Sequence, residues 1–282
     1  EYANPNTHKD VNVGHVRNFV VGYLTIQLLR AVVYDVVAAS YINDLGNNVA
    51  KCVWSMQALH EGERPESGHE IEFLQKLYVE AGEAAEKEET VREEISTIQR
   101  SLETGRGPWH KLWKESRQWS IDALYAAFKE FHLPIDRQYY ESELIDDTKK
   151  IVRDLQERGT AKLNDGAIIV DLSDEDLGVN LLVKSDGALL YNAKDLALAM
   201  RKSTDYDLDR SLIVVDARQS LAMRQLFATL KHMGVQIPYE HLSYNFVTLP
   251  EGAMSSRKGT IVRYESLRDR LRHVAADETR EK

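Results

Sequence analysis

Two short stretches of the chain carry the residue types from which nucleotide chemistry is built. Residues 4–15 read NPNTHKDVNVGH, with the cation Lys9 and the pair Gly14-His15 standing just before a helical pattern. A loop that opens a helix presents backbone N–H groups and the positive end of the helix dipole, and both favour phosphate. Gly14 lets the backbone come close to such a ligand, and His15 brings a donor beside it. Taken alone, a Gly-His pair at a helix start is more often a cap than a catalyst. Residues 253–262 read AMSSRKGTIV. Ser255, Ser256, Arg257 and Lys258 make a donor-rich, cationic loop before Gly259, suited to gripping a polyphosphate as negative charge builds on it. By itself this stretch reads equally well as an exposed basic turn.

The elements that must position these stretches follow from periodicity. Glu1 to Ala3 reads as the end of a strand, and GHVRNFVVGYLTIQLLRA, from Gly14 to about Ala31, has helical spacing of Val16, Phe19, Val20, Leu24, Leu28 and Leu29. VVYDVVAASYI reads as a buried strand stopped by Asn43, Asp44, Gly46 and Asn47. Strand, helix, strand begins a parallel α/β sheet. From Lys51 to His132 the chain turns to long polar helices. The acidic run YVEAGEAAEKEETVREEISTIQRSLE reads as a solvated helix face, and Trp109 and Trp113, one turn apart, as packing residues rather than a base-stacking platform. After Pro134 the β pattern returns: RQYYESEL as a strand, IDDTKKIVRDLQERG as a helix closed by Gly159, and DGAIIVDL as a strand. LLVKSDGALLYN gives a hairpin about Asp186-Gly187, RSLIVVDA a buried strand, and RQSLAMRQLFATLKHMG an amphipathic helix carrying Leu221, Leu226 and Leu230.

Composition bounds the possibilities. With 282 residues, 43% of them hydrophobic, the chain can bury an ordinary core in one large or two moderate domains. Asp and Glu outnumber Lys and Arg by 45 to 36, so a nucleic acid would have to meet a local basic patch against a net charge of −9. The single cysteine, Cys52, excludes an internal disulfide and any cysteine-based metal cage, and reads as structural. No apolar run approaches the ~18 residues of a membrane span, and EYANPN lacks the basic region of a signal peptide, which together suggest a cytoplasmic protein.

With both stretches in one chain, the sequence resembles the class I aminoacyl-tRNA synthetases. Asn12-Val13-Gly14-His15 stands for their His-x-Gly-His signature and Met254-Ser255-Ser256-Arg257-Lys258 for their Lys-Met-Ser-Lys-Ser-type loop. EYANPN, YINDLG at 41–46, LLVKSDGALLYNAKDLA at 181–197 and IVVDARQSLAMRQL at 213–226 narrow the likeness to the arginyl-tRNA synthetase family. The resemblance implies a Rossmann-type parallel sheet split by a mainly helical connective insertion. Its two catalytic halves would be residues 1–50 and 133–250, the insertion 51–132, and the mobile loop with the start of a helical stem 251–282. On this likeness, the family's N-terminal tRNA-elbow domain and C-terminal anticodon-binding domain are expected to have no counterpart in this sequence. It further implies activation of L-arginine by ATP with Mg2+, transfer to the acceptor end of tRNA(Arg), and a cytoplasmic monomer with no membrane contact.

Residue by residue, the likeness assigns Asn6 to the α-amino group of arginine, Glu1 to the same pocket, Tyr191 and Asp195 to the guanidinium, and Gln219 to the substrate backbone. A carboxylate can accept two parallel N–H bonds from a guanidinium, which agrees with Asp195 in that place. Gly14, His15, Met254, Ser255, Ser256 and Lys258 would hold ATP, while His15, Lys9, Asn12, Arg257 and Lys258 would act on the phosphates. Lys9 fits the family's habit of placing a lysine before the first signature when the loop lacks its second one. Three positions depart from the pattern: Asn12 replaces the first histidine, Ala253 a frequent lysine, and Ala222 a frequent histidine. An asparagine amide can donate to phosphate but carries no charge. The departures leave two rival expectations, a free-standing paralogue that arginylates another acceptor and a catalytically weakened tRNA- or partner-binding domain.

Overall fold

The computed structural model describes residues 1–249, 252–253 and 262–280. Two compact units emerge, each assembled from separate stretches: Glu1–Tyr2, Ala39–Tyr41 and Arg137–Asn245 in the first, Ala3–Ala38, Ile42–Asp136 and Phe246–Lys282 in the second. In chain order the elements are α1 (Val13–Ala31), β1 (Ala39–Ile42), α2 (Asn47–Ala58), α3 (Glu70–Lys87), α4 (Glu89–Glu103), α5 (His110–Glu130), β2 (Arg137–Tyr140), α6 (Ile145–Glu157), β3 (Lys162–Asn164), β4 (Ala167–Asp171), β5 (Val179–Val183), α7 (Tyr191–Asp205), β6 (Ser211–Asp216), α8 (Ser220–His232), β7 (Tyr239–Tyr244), β8 (Thr248–Leu249), β9 (Gly252–Ala253) and α9 (Tyr264–Arg280).

The first unit is α/β. β6 and β7 pair in parallel from Ser211 opposite Tyr239 to Asp216 opposite Tyr244, and β1 pairs with β2. Glu1 and Tyr2 join these two pairs. The Glu1 nitrogen donates to Leu212 O at 2.7 Å, Val214 N donates to Glu1 O at 2.9 Å, and Tyr2 N donates to Ala39 O at 3.0 Å. One residue bonding to both neighbours of its partner is the parallel ladder pattern, so the opening residues act as the strand end that their sequence suggested. Helices α6, α7 and α8 belong to this unit, and Tyr139, Leu144, Ala197 and Leu198 form part of its core.

Turn chemistry in this unit differs from the expected order. The residues at the tip of the β3–β4 hairpin, Asp165 and Gly166, both have positive φ (48° and 79°), as a type I′ turn demands. The Asp186-Gly187 turn after β5 closes with Gly187 N to Lys184 O at 2.9 Å, but its far arm contributes a single bridge, Val183 to Leu189. Only Leu190, the N-cap, separates Leu189 from the start of α7 at Tyr191, so no second strand can extend.

In the second unit the stretch expected as an insertion, residues 51–132, is mainly helical, running through α2 to α5. Val91, Ile95, Ile98 and Leu102 of α4 recur every three or four residues and are buried, while the acidic residues between them face solvent. Burying four such side chains contributes on the order of 1.5–3 kcal/mol each before entropy is counted. α2 and α3 meet through Cys52, Met56, Leu74, Leu77 and Tyr78. Cys52 is wholly buried, which pushes its thiol far above the ordinary value and makes it a packing residue. Trp113 is 7% exposed and donates through Nε1 to Asp44 O at 2.8 Å, which favours packing over base stacking.

Two expectations change here. The strand expected over VVYDVVAASYI is confined to Ala39–Ile42; Val32, Val33 and Tyr34 are exposed and Val33 sits at φ 68°. A β-branched residue in that region cannot continue a ladder, and it turns the chain out of α1. On α1 itself only Phe19 and Ile26 of the large apolar residues are buried, and Val20, Leu24 and Leu28 face outward. Helical spacing made these residues one set; packing divided them between two faces. Among the described residues no helix is long and apolar enough to cross a membrane.

Candidate active site

The phosphate-type loop lies in the second unit, and its geometry is set by Asn12. Asn12 is the N-cap of α1, its Oδ1 accepting from Gly14 N at 2.9 Å and His15 N at 3.2 Å, while Asn12 N donates to His15 Nδ1 at 3.0 Å. This is a capping box in which a histidine ring takes the place of the usual glutamate. Val13 N donates to Val262 O at 3.2 Å, so all three N–H groups of the first turn are already bonded. A phosphate at this end would therefore meet the helix dipole, side chains and the space left by Gly14, rather than idle backbone donors.

The cap also settles the state of His15. Its Nδ1 accepts a hydrogen bond, so in the neutral ring Nε2 carries the proton. Burial and the neighbouring Lys9 charge hold its pKa down to about 4. His15 is thus a neutral donor through Nε2 at physiological pH, and Lys9 supplies the charge.

Residues absent from the motif hold the loop in place. His8 is fully buried at φ 59°, an uncommon conformation for a non-glycine residue, and its backbone N donates to Ser120 Oγ at 2.9 Å. Its ring bridges Thr7 Oγ1 and Ser116 Oγ, each at 2.9 Å, and burial followed by the Arg117 charge lowers its pKa to about 3. Serines of α5 thereby fix the residue just before Lys9. Asn6 forms a parallel bridge with Asn43, flanked by Thr7 N to Asn43 O at 2.9 Å and Asn43 N to Pro5 O at 3.1 Å.

Asp10 is held by a two-pronged pair with Arg263, Nε to Oδ2 at 2.7 Å and Nη2 to Oδ1 at 3.0 Å. Tyr264 N donates to Val11 O at 2.9 Å. The segment that follows the second signature is thus tied to the segment that precedes the first. Arg263→Ala is expected to lower stability by about 1–3 kcal/mol in urea unfolding, discounted because the guanidinium is partly exposed. Arg263→Lys should recover less than half of the loss, because an ammonium cannot make both parallel bonds; full recovery would contradict the fork geometry.

The first unit gathers a second cluster. Tyr191 opens α7 and is half-exposed, and Asp195 follows one turn later on the same face. Beside Asp195 stand the carboxylates of Glu1 and Glu141 and the ammonium groups of Lys194 and Lys202. Lys202 Nζ bonds Glu1 Oε2 at 2.5 Å, and Lys194 bonds Glu141 with side chains only 4% and 1% exposed. Asp195 makes no such pair among the described residues. Burial, then the Glu1 and Glu141 charges, raise its pKa from 3.8 to about 7. Gln219 lies exposed just before α8, at the carboxyl end of β6, where ligands bind in open α/β sheets.

Sequence reading missed His8, Asp10, Arg263, Glu141, Lys194 and Lys202. Their partners lie tens to hundreds of residues away, and no local pattern announces them. The calls at Met254, Ser255, Ser256, Arg257 and Lys258 lie outside the described residues. Among the described residues no cluster of three or more His, Cys, Asp or Glu side chains is placed to hold a metal ion.

Comparison with known proteins bears on what these clusters serve. The family described as tRNA synthetases class I (R), catalytic domain, matches residues 1–282. The chain belongs to that family. Arginine–tRNA ligase of Bdellovibrio bacteriovorus is 38% identical over 279 residues, covering 96% of this chain and 48% of that protein. The Porphyromonas gingivalis ligase is 31% identical over 299 residues, covering 98% and 50%. The chain spans about half the length of the curated relatives it matches. Among solved structures, Thermus thermophilus arginyl-tRNA synthetase superposes with a TM-score of 0.73 at 21% identity over 96% of this chain and 52% of that one. The Plasmodium falciparum enzyme gives 0.70 at 16% over 87% and 42%. These likenesses establish the class I synthetase fold, an α/β architecture with parallel pairing.

Proposed function

We propose that this chain is the catalytic domain of a cytoplasmic, monomeric arginine–tRNA ligase. The observation that carries the reading is Asp195, a half-buried carboxylate with no ion pair among the described residues, on the guanidinium-reading position of a chain that matches the family over residues 1–282. A guanidinium stays charged at any physiological pH and presents planar paired donors, so it can displace the Asp195 proton and bond both oxygens. Tyr191 lines the same helix face, Glu1 belongs to the same cluster, and Asn6 and Gln219 are assigned to the α-amino group and substrate backbone.

In the first step a carboxylate oxygen of arginine attacks the α-phosphorus of ATP, the bond to the β-phosphate oxygen breaks, and pyrophosphate leaves with arginyl-adenylate formed. In the second, a terminal ribose hydroxyl of tRNA(Arg) attacks the arginyl carbonyl, loses its proton, and AMP leaves. Lys9 and the donor Nε2 of His15 offset charge on the phosphates, Asn12 adds its Nδ2 donor while Oδ1 caps the helix, and Arg257 and Lys258 act from the loop. The acceleration comes from positioning and charge stabilisation. With no protein cage among the described residues, a Mg2+ ion would enter on the ATP phosphates, where it would neutralise charge. No step assigned to the protein's side chains depends on it.

ATP–pyrophosphate exchange, measured with and without tRNA(Arg), tests this reading. Exchange dependent on arginine, absent with lysine or citrulline, and stimulated by tRNA(Arg) is expected. Exchange with another amino acid would overturn the substrate, and equally strong arginine exchange without tRNA would favour a different acceptor.

A further inference from the structure

Lys9 is the cation assigned to the phosphates, and the residue before it is held far more firmly than an ordinary loop residue. Thr7, His8, Ser116 and Ser120 are polar and buried. Ser116 and Ser120 stand one turn apart on α5, so both meet the loop from one face of that helix. His8 is gripped at three points, its backbone N–H by Ser120 and its two ring nitrogens by Thr7 and Ser116, each at 2.9 Å. Its φ of 59° is strained for a residue with a side chain and persists only where the surroundings over-determine it.

The hydroxyl protons of this network fix the ring. Ser116 Oγ donates to Leu112 O at 2.9 Å, so toward His8 it accepts, and Nε2 carries the ring proton. Nδ1 of the neutral ring is then an acceptor and takes the Thr7 hydroxyl, whose alternative, Asn43 O, lies farther off at 3.4 Å. Burial first, then the Arg117 charge, keeps the ring neutral. Both ring nitrogens are thereby used without adding a positive charge beside Lys9. Lys9 in turn lies close enough to His15 for its charge to lower the pKa of that ring.

We propose that His8 is a positioning residue for Lys9, clamped by Ser116 and Ser120 of α5 so that the Lys9 ammonium is held at the N-terminal end of α1. His8 does not touch the ligand; it acts through Lys9. This role rests on the assignment of Lys9 to the phosphates of ATP. It adds that α5, from the stretch expected as an insertion, sets where that charge stands.

A double-mutant cycle on ATP affinity, read by titration calorimetry, separates positioning from mere packing. K9M should weaken ATP binding by about 10–100-fold, the range for losing one charge-assisted bond. H8G accepts the positive φ but loses both ring bonds, and should weaken ATP binding by about tenfold; S116A, which loses only the partner of Nε2, should weaken it by about fivefold. In the K9M background each of these substitutions should change ATP affinity by less than about twofold, because the charge they misplace is gone. Where H8G does not fold, S116A and the double variant K9M/S116A carry the test. Losses that recur in full on top of K9M, or H8G and S116A at parent affinity while K9M is weakened, would overturn the proposal alone. ATP affinity unchanged in K9M would overturn the assignment of Lys9, and the proposal with it.

Discussion

Asp195→Asn is expected to weaken arginine binding by about 10²–10³-fold while leaving ATP affinity within about twofold. The figure follows from losing one partner of a desolvated, charge-assisted pair, typically 2–5 kcal/mol. Asn keeps the shape and one acceptor oxygen but replaces the other with a donor that faces the guanidinium N–H groups. Calorimetric titration with arginine and separately with ATP checks both halves. Unchanged arginine affinity would remove Asp195 from the pocket.

The same residue sets two pH dependences. Binding of guanidinium requires the ionised carboxylate, and Asp195 holds its proton up to about pH 7. Arginine affinity should thus be flat well above pH 7 and fall about tenfold per unit below it. Stability runs the other way in the free protein. An unfolded Asp ionises near 4, so between about pH 4 and 7 the folded state binds more protons than the unfolded one, and stability drops as pH rises through that window. Asn at 195 abolishes this contribution, so the variant should gain melting temperature over the parent at pH 8 more than at pH 4. A variant less stable than the parent at pH 8 would indicate that Asp195 is ionised and satisfied without ligand.

His15→Ala should reduce arginyl-adenylate formation by about 10²–10³-fold, the usual cost of one preorganised donor to a developing anion. The loss should fall on kcat rather than on the KM for arginine, because His15 is assigned to the phosphates. His15 also completes the capping box, so a stability loss of about 1 kcal/mol is expected alongside. His15→Gln separates the two roles. Its amide oxygen can accept from Asn12 N and restore the cap, but its donor does not reproduce the position of Nε2, so stability should recover while exchange stays low. Recovery of exchange with stability in His15→Gln would reduce His15 to a structural residue.

Much of the nucleotide half was legible because its signals are local. Gly14 and His15 sit at the start of α1 as expected, and Tyr191 and Asp195 share a helix face because four residues make one turn. Local signals also misled. Asp186-Gly187 looked like the best hairpin, yet the type I′ geometry fell to Asp165-Gly166, where both residues have positive φ and a short strand lies on each side. VVYDVV looked like strand by composition, but Val33 turns the chain and leaves residues 32–35 exposed. Propensity is a weak prior when packing partners are distant.

The sequence by itself determined the motifs, their order, and the residue types able to meet a guanidinium and a polyphosphate, since these depend on spacing along one helix or loop. Only the tertiary structure decided which of those groups are still available. Asn12 and Val262 occupy the first-turn N–H groups of α1, Lys194 and Lys202 pair with Glu141 and Glu1, and Asp195 has no ion pair among the described residues. The reason is physical: burial and long-range pairing set the charge state of a carboxylate, and neither is a property of its neighbours in sequence.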